Sequence, residues 1–154
     1  MKTVREHIIE RIITQLENIT VANGYENNIG PGNVYRETPV IEKERVPAIS
    51  VWELLERRER NQYGGTVRTL RIKIEGIVDA QGQNHPAKVS NSLLGDIETA
   101  LIIGDMSLDD LIDDIQDISA EITHFPIERQ LAGALIDFEI KYTTEWGDPY
   151  TSGR

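Results

Sequence analysis

The chain has 154 residues and a mass of 17.4 kDa, with 39% hydrophobic and 27% charged residues, which is typical of one folded domain. It contains no cysteine, so disulfides, thiolate nucleophiles and cysteine-based metal sites are excluded. Lysine and arginine total 16 against 26 aspartates and glutamates, giving a net charge of -10. Such an acidic chain repels the nucleic-acid backbone, and it has no apolar stretch of about 20 residues that would span a bilayer. We therefore expect neither sequence-specific nucleic-acid binding nor a membrane partner.

The first predicted element is an amphipathic helix at the N-terminus. Thr3 and Glu6 have the spacing of a capping box, and Gly24 is a candidate stop. Apolar side chains recur every three to five residues and predict one buried stripe. These residues are Val4, Ile8, Ile9, Ile12, Ile13, Leu16 and Ile19.

A long β-hairpin is predicted next, pairing residues 49–61 with residues 66–79. Its second arm alternates clearly, with Leu70, Ile72 and Ile74 on one side and Arg71 and Lys73 on the other. In the first arm, residues 53–60 have high helix propensity, which leaves strand and helix both open. The turn residues that follow them, and the strand after that turn, favour a strand.

The second half begins with a helix that has Pro86 at its first position and ends at Gly104. Ser107 can then cap a short acidic helix from Leu108 to about Asp114, and residues 115–125 and 132–142 read as strands. This order predicts an α+β fold: a mainly antiparallel mixed sheet with a long hairpin, packed against two main helices on one face. We expect residues 1–145 to form a single domain and residues 146–154 to form an extended C-terminal tail.

No catalytic or cofactor motif accompanies these elements. The sequence contains no phosphate-binding glycine loop and no Gly-x-Ser-x-Gly nucleophile motif. His7, His85 and His124 fall on a helix, a loop and a strand, without the short spacing of metal ligands. We therefore expect no enzyme activity, no cofactor and no metal.

One acidic run leaves two interpretations open. It contains Asp105, Asp109, Asp110, Asp113, Asp114, Asp117 and Glu121. These carboxylates could recruit a divalent cation for a small enzyme, but the spacing lacks the glycine of a calcium loop. Apolar residues between them instead favour a solvated or partner-facing helix.

The distribution of charge along the chain suggests how copies of it could associate. Residues 89–128 contain no lysine or arginine, whereas arginines crowd the predicted hairpin. A basic arm and an acidic patch on one chain suit a head-to-tail contact, which can close into a ring, although two unrelated solvated faces would look the same. The candidate contact residues are Arg57, Arg58, Arg60 and Arg68 on the basic side and Asp109, Asp110, Asp113 and Asp114 on the acidic side.

The layout of the chain resembles the tail terminator (minor tail protein U-like) family of long-tailed bacteriophages and prophages. The resemblance covers most of the chain, in order and spacing, and includes the amphipathic first helix and the arginine-rich hairpin. Its local matches are Pro47-Ala48-Ile49-Ser50-Val51, Leu94-Gly95-Asp96-Ile97-Glu98-Thr99-Ala100-Leu101, Phe138-Glu139-Ile140-Lys141-Tyr142-Thr143-Thr144 and Trp146-Gly147-Asp148-Pro149-Tyr150.

The resemblance implies a structural protein without catalytic residues. It implies a ring, expected to be a hexamer, on the head-proximal end of the tail tube. Such a ring stops tube polymerisation and joins the tail to the head–neck connector. The protein would be made in the host cytoplasm and end in the virion tail. Another tail or neck component of similar fold, or the metal-dependent enzyme above, remains as an alternative.

Overall fold

The computed structural model describes residues 1–39, 46–80, 82, 85–105, 107, 108 and 110–153. Its two main helices are α1 (Val4–Glu17) and α2 (Pro86–Glu98). The strands are β1 (Val34–Arg36), β2 (Ala48–Arg60), β3 (Gly65–Asp79), β4 (Asp114–Thr123), β5 (Leu131–Glu145) and β6 (Asp148–Ser152).

The strands form one mixed sheet in the order β1-β2-β3-β5-β4, and β6 pairs with the end of β5. The pairing of β1 with β2 is parallel, and every other pairing is antiparallel. Both helices pack on one face, since α1, α2 and alternate positions of β3 and β5 contribute to one buried cluster. The predicted α+β fold is therefore confirmed.

Helix α1 has the predicted buried stripe, but it ends earlier than predicted. The hydroxyl of Thr3 accepts a hydrogen bond from the Glu6 backbone N–H at 3.0 Å, as an N-cap should. The helix ends at Glu17, because the Thr20 side chain accepts from the Asn23 backbone N–H and starts a separate 3-10 turn. Gly24, with φ of 94°, ends that turn and not the helix.

Residues 53–60 are strand, as the turn and the strand that follow them predicted, and not the helix that their propensity allowed. They continue β2 to the Arg60–Thr66 pair with β3. Strand β3 in turn pairs with β5 along its whole length, from Gly65–Glu145 to Asp79–Leu131. A segment with helix propensity becomes a strand here because backbone pairing and side-chain packing outweigh differences of under about 1 kcal/mol per residue.

The acidic segment after α2 differs from the prediction. Helix α2 continues as a π-helical turn over Thr99–Gly104, so Gly104 ends the element as predicted. The short acidic helix predicted from Leu108 is wrong, since Leu108 and Asp110 have left-handed φ values of 49° and 60°. The Ser107 hydroxyl instead accepts from the Asp110 backbone N–H at 3.2 Å in a turn, and β4 begins at Asp114.

Residues of the expected C-terminal tail form the sixth strand. Trp146 and Gly147 make a turn, with φ of 74° at Gly147, and Asp148–Ser152 then pairs back onto β5. Because β3 occupies the other side of β5 as far as Glu145, β6 lies on the same side of β5 as β4.

Candidate subunit interface

The basic candidate residues Arg57, Arg58, Arg60 and Arg68 lie at one end of the sheet, which we call the distal sheet. It comprises residues 54–60 of β2, 65–71 of β3 and 139–145 of β5, together with β6. Its inner face continues the helix-covered face, and its outer face is the opposite one. Alternation along each strand places the arginines of the hairpin on both faces.

The inner face of the distal sheet is organised around Glu56. The side chain of Glu56 is 4% exposed and accepts hydrogen bonds from the Tyr142 hydroxyl and, at 2.7 Å, from the Arg58 Nε. Burial by itself would raise the pKa of Glu56, but the hydrogen bonds from Tyr142 and Arg58 and the charge of Arg5 outweigh burial, so the pKa is lowered. Glu56 is thus a buried carboxylate that remains ionised.

Arg68 is bound within its own chain on the same face. Its side chain is 8% exposed, with Nη1 at 3.6 Å from Glu56 Oε2. Its Nε donates to the Thr144 hydroxyl at 3.2 Å. Burial, followed by the hydrogen bond to Glu56, raises the pKa of the neighbouring Tyr142. Sequence reasoning grouped Arg68 with the exposed arginines because alternation alone did not reveal that Glu56 and Tyr142 would enclose it.

A second ionic cluster lies beside the distal sheet and joins α1, β1 and β2. Arg36 of β1 donates to Glu6 of α1 at 2.7 and 2.9 Å and to Glu53 of β2 at 2.7 Å. Arg5 of α1 also contacts Glu53 at 3.2 Å. The hydrogen bond from Arg36 lowers the pKa of Glu6, and the same bond raises the pKa of Arg36 itself. These contacts hold the start of α1 against the sheet.

The outer face carries a row of polar residues across four strands. Arg57 pairs with Thr69, Thr69 with Lys141, and Lys141 with Asp114. Arg57 and Asp114 line one shallow depression of about 250 Å³, with Arg57 Nη2 at 3.7 Å from Glu139. Arg57 is 70% exposed, so its guanidinium remains accessible to a partner.

The tip of the distal sheet exposes aromatic side chains. The Cζ of Arg60 lies 4.0 Å from the centre of the Trp146 ring, which is cation–π geometry. Trp146 is 61% exposed and Tyr63, in the hairpin turn, is 84% exposed. Asn61 orders this turn, because its side-chain oxygen accepts from the backbone N–H groups of Tyr63 and Gly65 at 2.9 Å.

The acidic candidates that the structure describes lie at the start of β4 and just before it, across the sheet from β2. Asp113 Oδ2 accepts from the Thr143 hydroxyl at 2.7 Å, and Asp114 Oδ2 accepts from the Gln116 amide at 3.2 Å. Asp110 is exposed in the turn before β4. Asp109 lies outside the described residues. Of the predicted contact residues, the fold thus places Arg57 and Asp114 at opposite ends of one row.

The alternative of a metal-dependent enzyme requires several side chains that could bind one metal ion together. No three of their histidine, aspartate and glutamate side chains converge closely enough to hold a metal ion. Asp105 Oδ1 accepts a hydrogen bond from the Ser107 hydroxyl at 2.9 Å, and Asp105 Oδ2 lies 3.8 Å from Arg11 Nη2. His85 and His124 line the same cleft of about 270 Å³, which the sequence did not indicate because β4 and α2 are distant along the chain.

Helices in the described part of the chain are too short or too polar to cross a membrane. A scan of protein-family models and a search of curated proteins found no match to this chain.

Proposed function

We propose that this chain is a structural subunit of a homo-oligomeric ring, expected to be a hexamer, that acts as the tail terminator of a long-tailed phage or prophage. The observation that carries the proposal is the placement of opposite charges on opposite sides of the sheet. Arg57 and Arg58 are 70% and 57% exposed on β2, and the acidic strand β4 lies at the other side. Such a surface matches the next copy of the chain head to tail.

The ionic contacts inside each subunit support this role. Glu56 and Arg68 are buried and paired on the inner face, so the backbone of residues 54–60 is held in position. Arg36 joins β1, β2 and α1 through Glu6 and Glu53. A surface ordered before association loses less conformational entropy when it binds. The exposed arginines of β2 are therefore presented on a rigid support.

The tip of the distal sheet supports contact with further proteins. Tyr63 and Trp146 are large and exposed, and Arg60 lies over the Trp146 ring. Aromatic and arginine side chains are enriched in the energetically dominant parts of interfaces. Under the proposal, such end surfaces of the ring contact the tail tube protein on one side and the head–neck connector on the other. The protein assembles in the host cytoplasm and remains in the virion tail, without a cofactor or a reaction of its own.

The native mass of the purified chain tests the proposal directly. Light scattering across concentration at low salt should give a mass several times 17.4 kDa. The variant Arg57→Glu with Arg60→Glu should shift the mass towards the monomer, since it reverses exposed charges without altering the Glu56 cluster. Raising the salt should have the same effect on the unaltered chain, because exposed charges are screened over about 10 Å at 0.1 M.

A matched control separates this contact from an effect of net charge. Lys2→Glu with Lys88→Glu makes the same change in charge at exposed positions away from the distal sheet. The control should keep the oligomer, and circular dichroism should show that both double variants are folded. A monomer at every concentration and salt would contradict the proposal.

A further inference from the structure

Strand β4 and the distal part of β2 are the two long edges of the sheet. Along the edge that faces away from β3, β2 is paired with β1 at Ile49, Ser50 and Val51. The Glu37 side chain accepts a hydrogen bond from the Glu53 backbone N–H just beyond these pairs. Beyond that point residues 54–60 have β3 on one side and no strand of the described chain on the other. Among the described strands, β4 likewise pairs only with β5. Exposed edges of this length are templates for pairing with another strand.

The two edges carry opposite charge. Strand β4 contains Asp114, Asp117 and Glu121 and no basic residue. The distal part of β2 exposes Arg57, Arg58 and Arg60, with Glu59 as its exposed acid. Two copies of the same edge would therefore repel each other, whereas unlike edges attract. This arrangement disfavours two-fold dimers through one edge and favours head-to-tail association.

We infer that β4 of one copy pairs backbone to backbone with residues 54–60 of the next copy, so that the sheet continues from subunit to subunit. This inference rests on the proposed ring and specifies its contact. The occupant of each edge is a second copy of this chain, and the Asp114 carboxylate of one copy lies level with the Arg57 guanidinium of its neighbour.

Strand direction follows from the topology. Three antiparallel steps, from β2 to β3, to β5 and to β4, make β4 run opposite to β2. A rotation about an axis roughly parallel to the strands preserves these directions in every copy. The new pair is therefore antiparallel and continues the alternation already present in the sheet.

The register follows from the row across the outer face. Arg57 and Asp114 stand at its two ends, so the rotation that brings β4 to a neighbouring β2 also brings these two residues level. Next to this row, β2 has a bulge after Glu53 that exposes Leu55 by 71%, and β4 has a bulge that exposes Ile118 by 42%. Pairing at this level places Leu55 level with Gln116 of the neighbouring copy and two positions from Ile118, so the new contact includes both exposed apolar residues.

Disulfide cross-linking tests the pairing, and the absence of native cysteine makes the result specific. We would introduce Leu55→Cys with Gln116→Cys, because Gln116 and Leu55 share the row of Arg71 and Glu139 and the variant keeps Arg57 and Asp114. Within one chain these positions are three strand spacings apart, about 14 Å, and a disulfide needs Cα atoms within about 7 Å. Mild oxidation should therefore give a non-reducing gel ladder of dimers, trimers and larger species, ending at the ring.

Single variants provide the control, since Leu55→Cys or Gln116→Cys alone should yield no species beyond the dimer. Hydrogen exchange of the unaltered chain is the second measurement. Amides of residues 54–60 and 114–123 should exchange at least tenfold more slowly in the oligomer than in the dilute monomer. Slower exchange in both segments without the ladder would overturn the register that pairs Arg57 with Asp114.

The outcomes also separate this inference from the proposal beneath it. An oligomer by light scattering whose two edge segments exchange as fast as in the monomer would overturn edge pairing and leave the ring intact. A chain that remains monomeric by light scattering, with no ladder, would overturn both.

Discussion

The inner face of the sheet is filled by different kinds of side chain at its two ends. The proximal end lies under α1 and α2, and the distal end is the distal sheet. At the proximal end, Ile72, Ile74 and Phe138 are fully or almost fully buried among the side chains of α1 and α2. At the distal end, Glu56 and Arg68 are nearly as buried but are paired with each other and with polar groups. The same strands, β2, β3 and β5, supply both ends, so strand type alone does not decide how a face is filled.

The comparison shows that the two ends contribute differently to stability. Burying an isoleucine or phenylalanine side chain stabilises the fold by about 1.5–3 kcal/mol. A buried ion pair contributes little net free energy, because desolvation offsets attraction, yet removing one partner is costly. The apolar end therefore provides the free energy of folding, and the ionic end holds the strand edges in place.

The largest expected effect comes from placing a charge in the apolar end. Ile72→Asp should lower the free energy of unfolding by several kcal/mol, since the carboxylate would be buried without a partner. Urea denaturation followed by circular dichroism measures the loss. Thr69→Asp, three residues earlier on the outer face between Arg57 and Lys141, is the control and should change stability by about 1 kcal/mol or less. A larger loss in Thr69→Asp than in Ile72→Asp would show that the faces of β3 are assigned the wrong way round.

A smaller loss is expected from removing the carboxylate at the ionic end. Glu56→Ala should cost about 3 kcal/mol, because Arg68 and the Tyr142 hydroxyl lose their partner in a buried site. Glu59→Ala, an exposed acid on the same strand, should stay within about 0.5 kcal/mol of the unaltered chain. Thermal denaturation compares the two. If Glu56→Ala melted like Glu59→Ala, the ionic cluster would not be holding the distal sheet.

The smallest effect is expected from acid acting on the ion-paired carboxylates Glu6 and Glu56. Since the pKa values of Glu6 and Glu56 are lowered in the fold, the unfolded chain takes up protons first as the pH falls. The ionised forms of these two glutamates stabilise the fold at pH values above the ordinary glutamate pKa of 4.5. This stabilisation is lost as the pH falls through their lowered pKa values. The loss should be smaller than in Glu56→Ala, because a protonated carboxyl still fills the site and hydrogen bonds.

Urea midpoints measured between pH 7 and pH 3 check this prediction. Glu56→Gln, which cannot ionise, should have a shallower decline in its midpoint with falling pH than the unaltered chain. An identical decline in both proteins would assign the acid sensitivity to groups elsewhere in the molecule.

Periodicity in the sequence determined most of the secondary structure. The apolar stripe of α1, Pro86 at the start of α2 and the alternation of β3 and β5 were each readable, since spacing specifies which side chains share a face. The acidic helix after Ser107 was predicted wrongly because left-handed backbone at Leu108 and Asp110 leaves no signature in non-glycine residues. The sequence showed which charged residues were candidates for contacts, but it did not show which groups would surround each of them.

By itself, the sequence determined the α+β class, the hairpin, the faces of its second arm and the separation of basic from acidic segments. Tertiary structure alone decided that Arg68 is buried against Glu56, and that Arg57 and Asp114 end one row across the sheet. The physical reason is the separation along the chain of the residues that interact. Periodicity and capping depend on residues that are only a few positions apart. Register and ion pairing join groups tens of residues apart, such as Glu56 and Tyr142, and exist only once the strands are side by side.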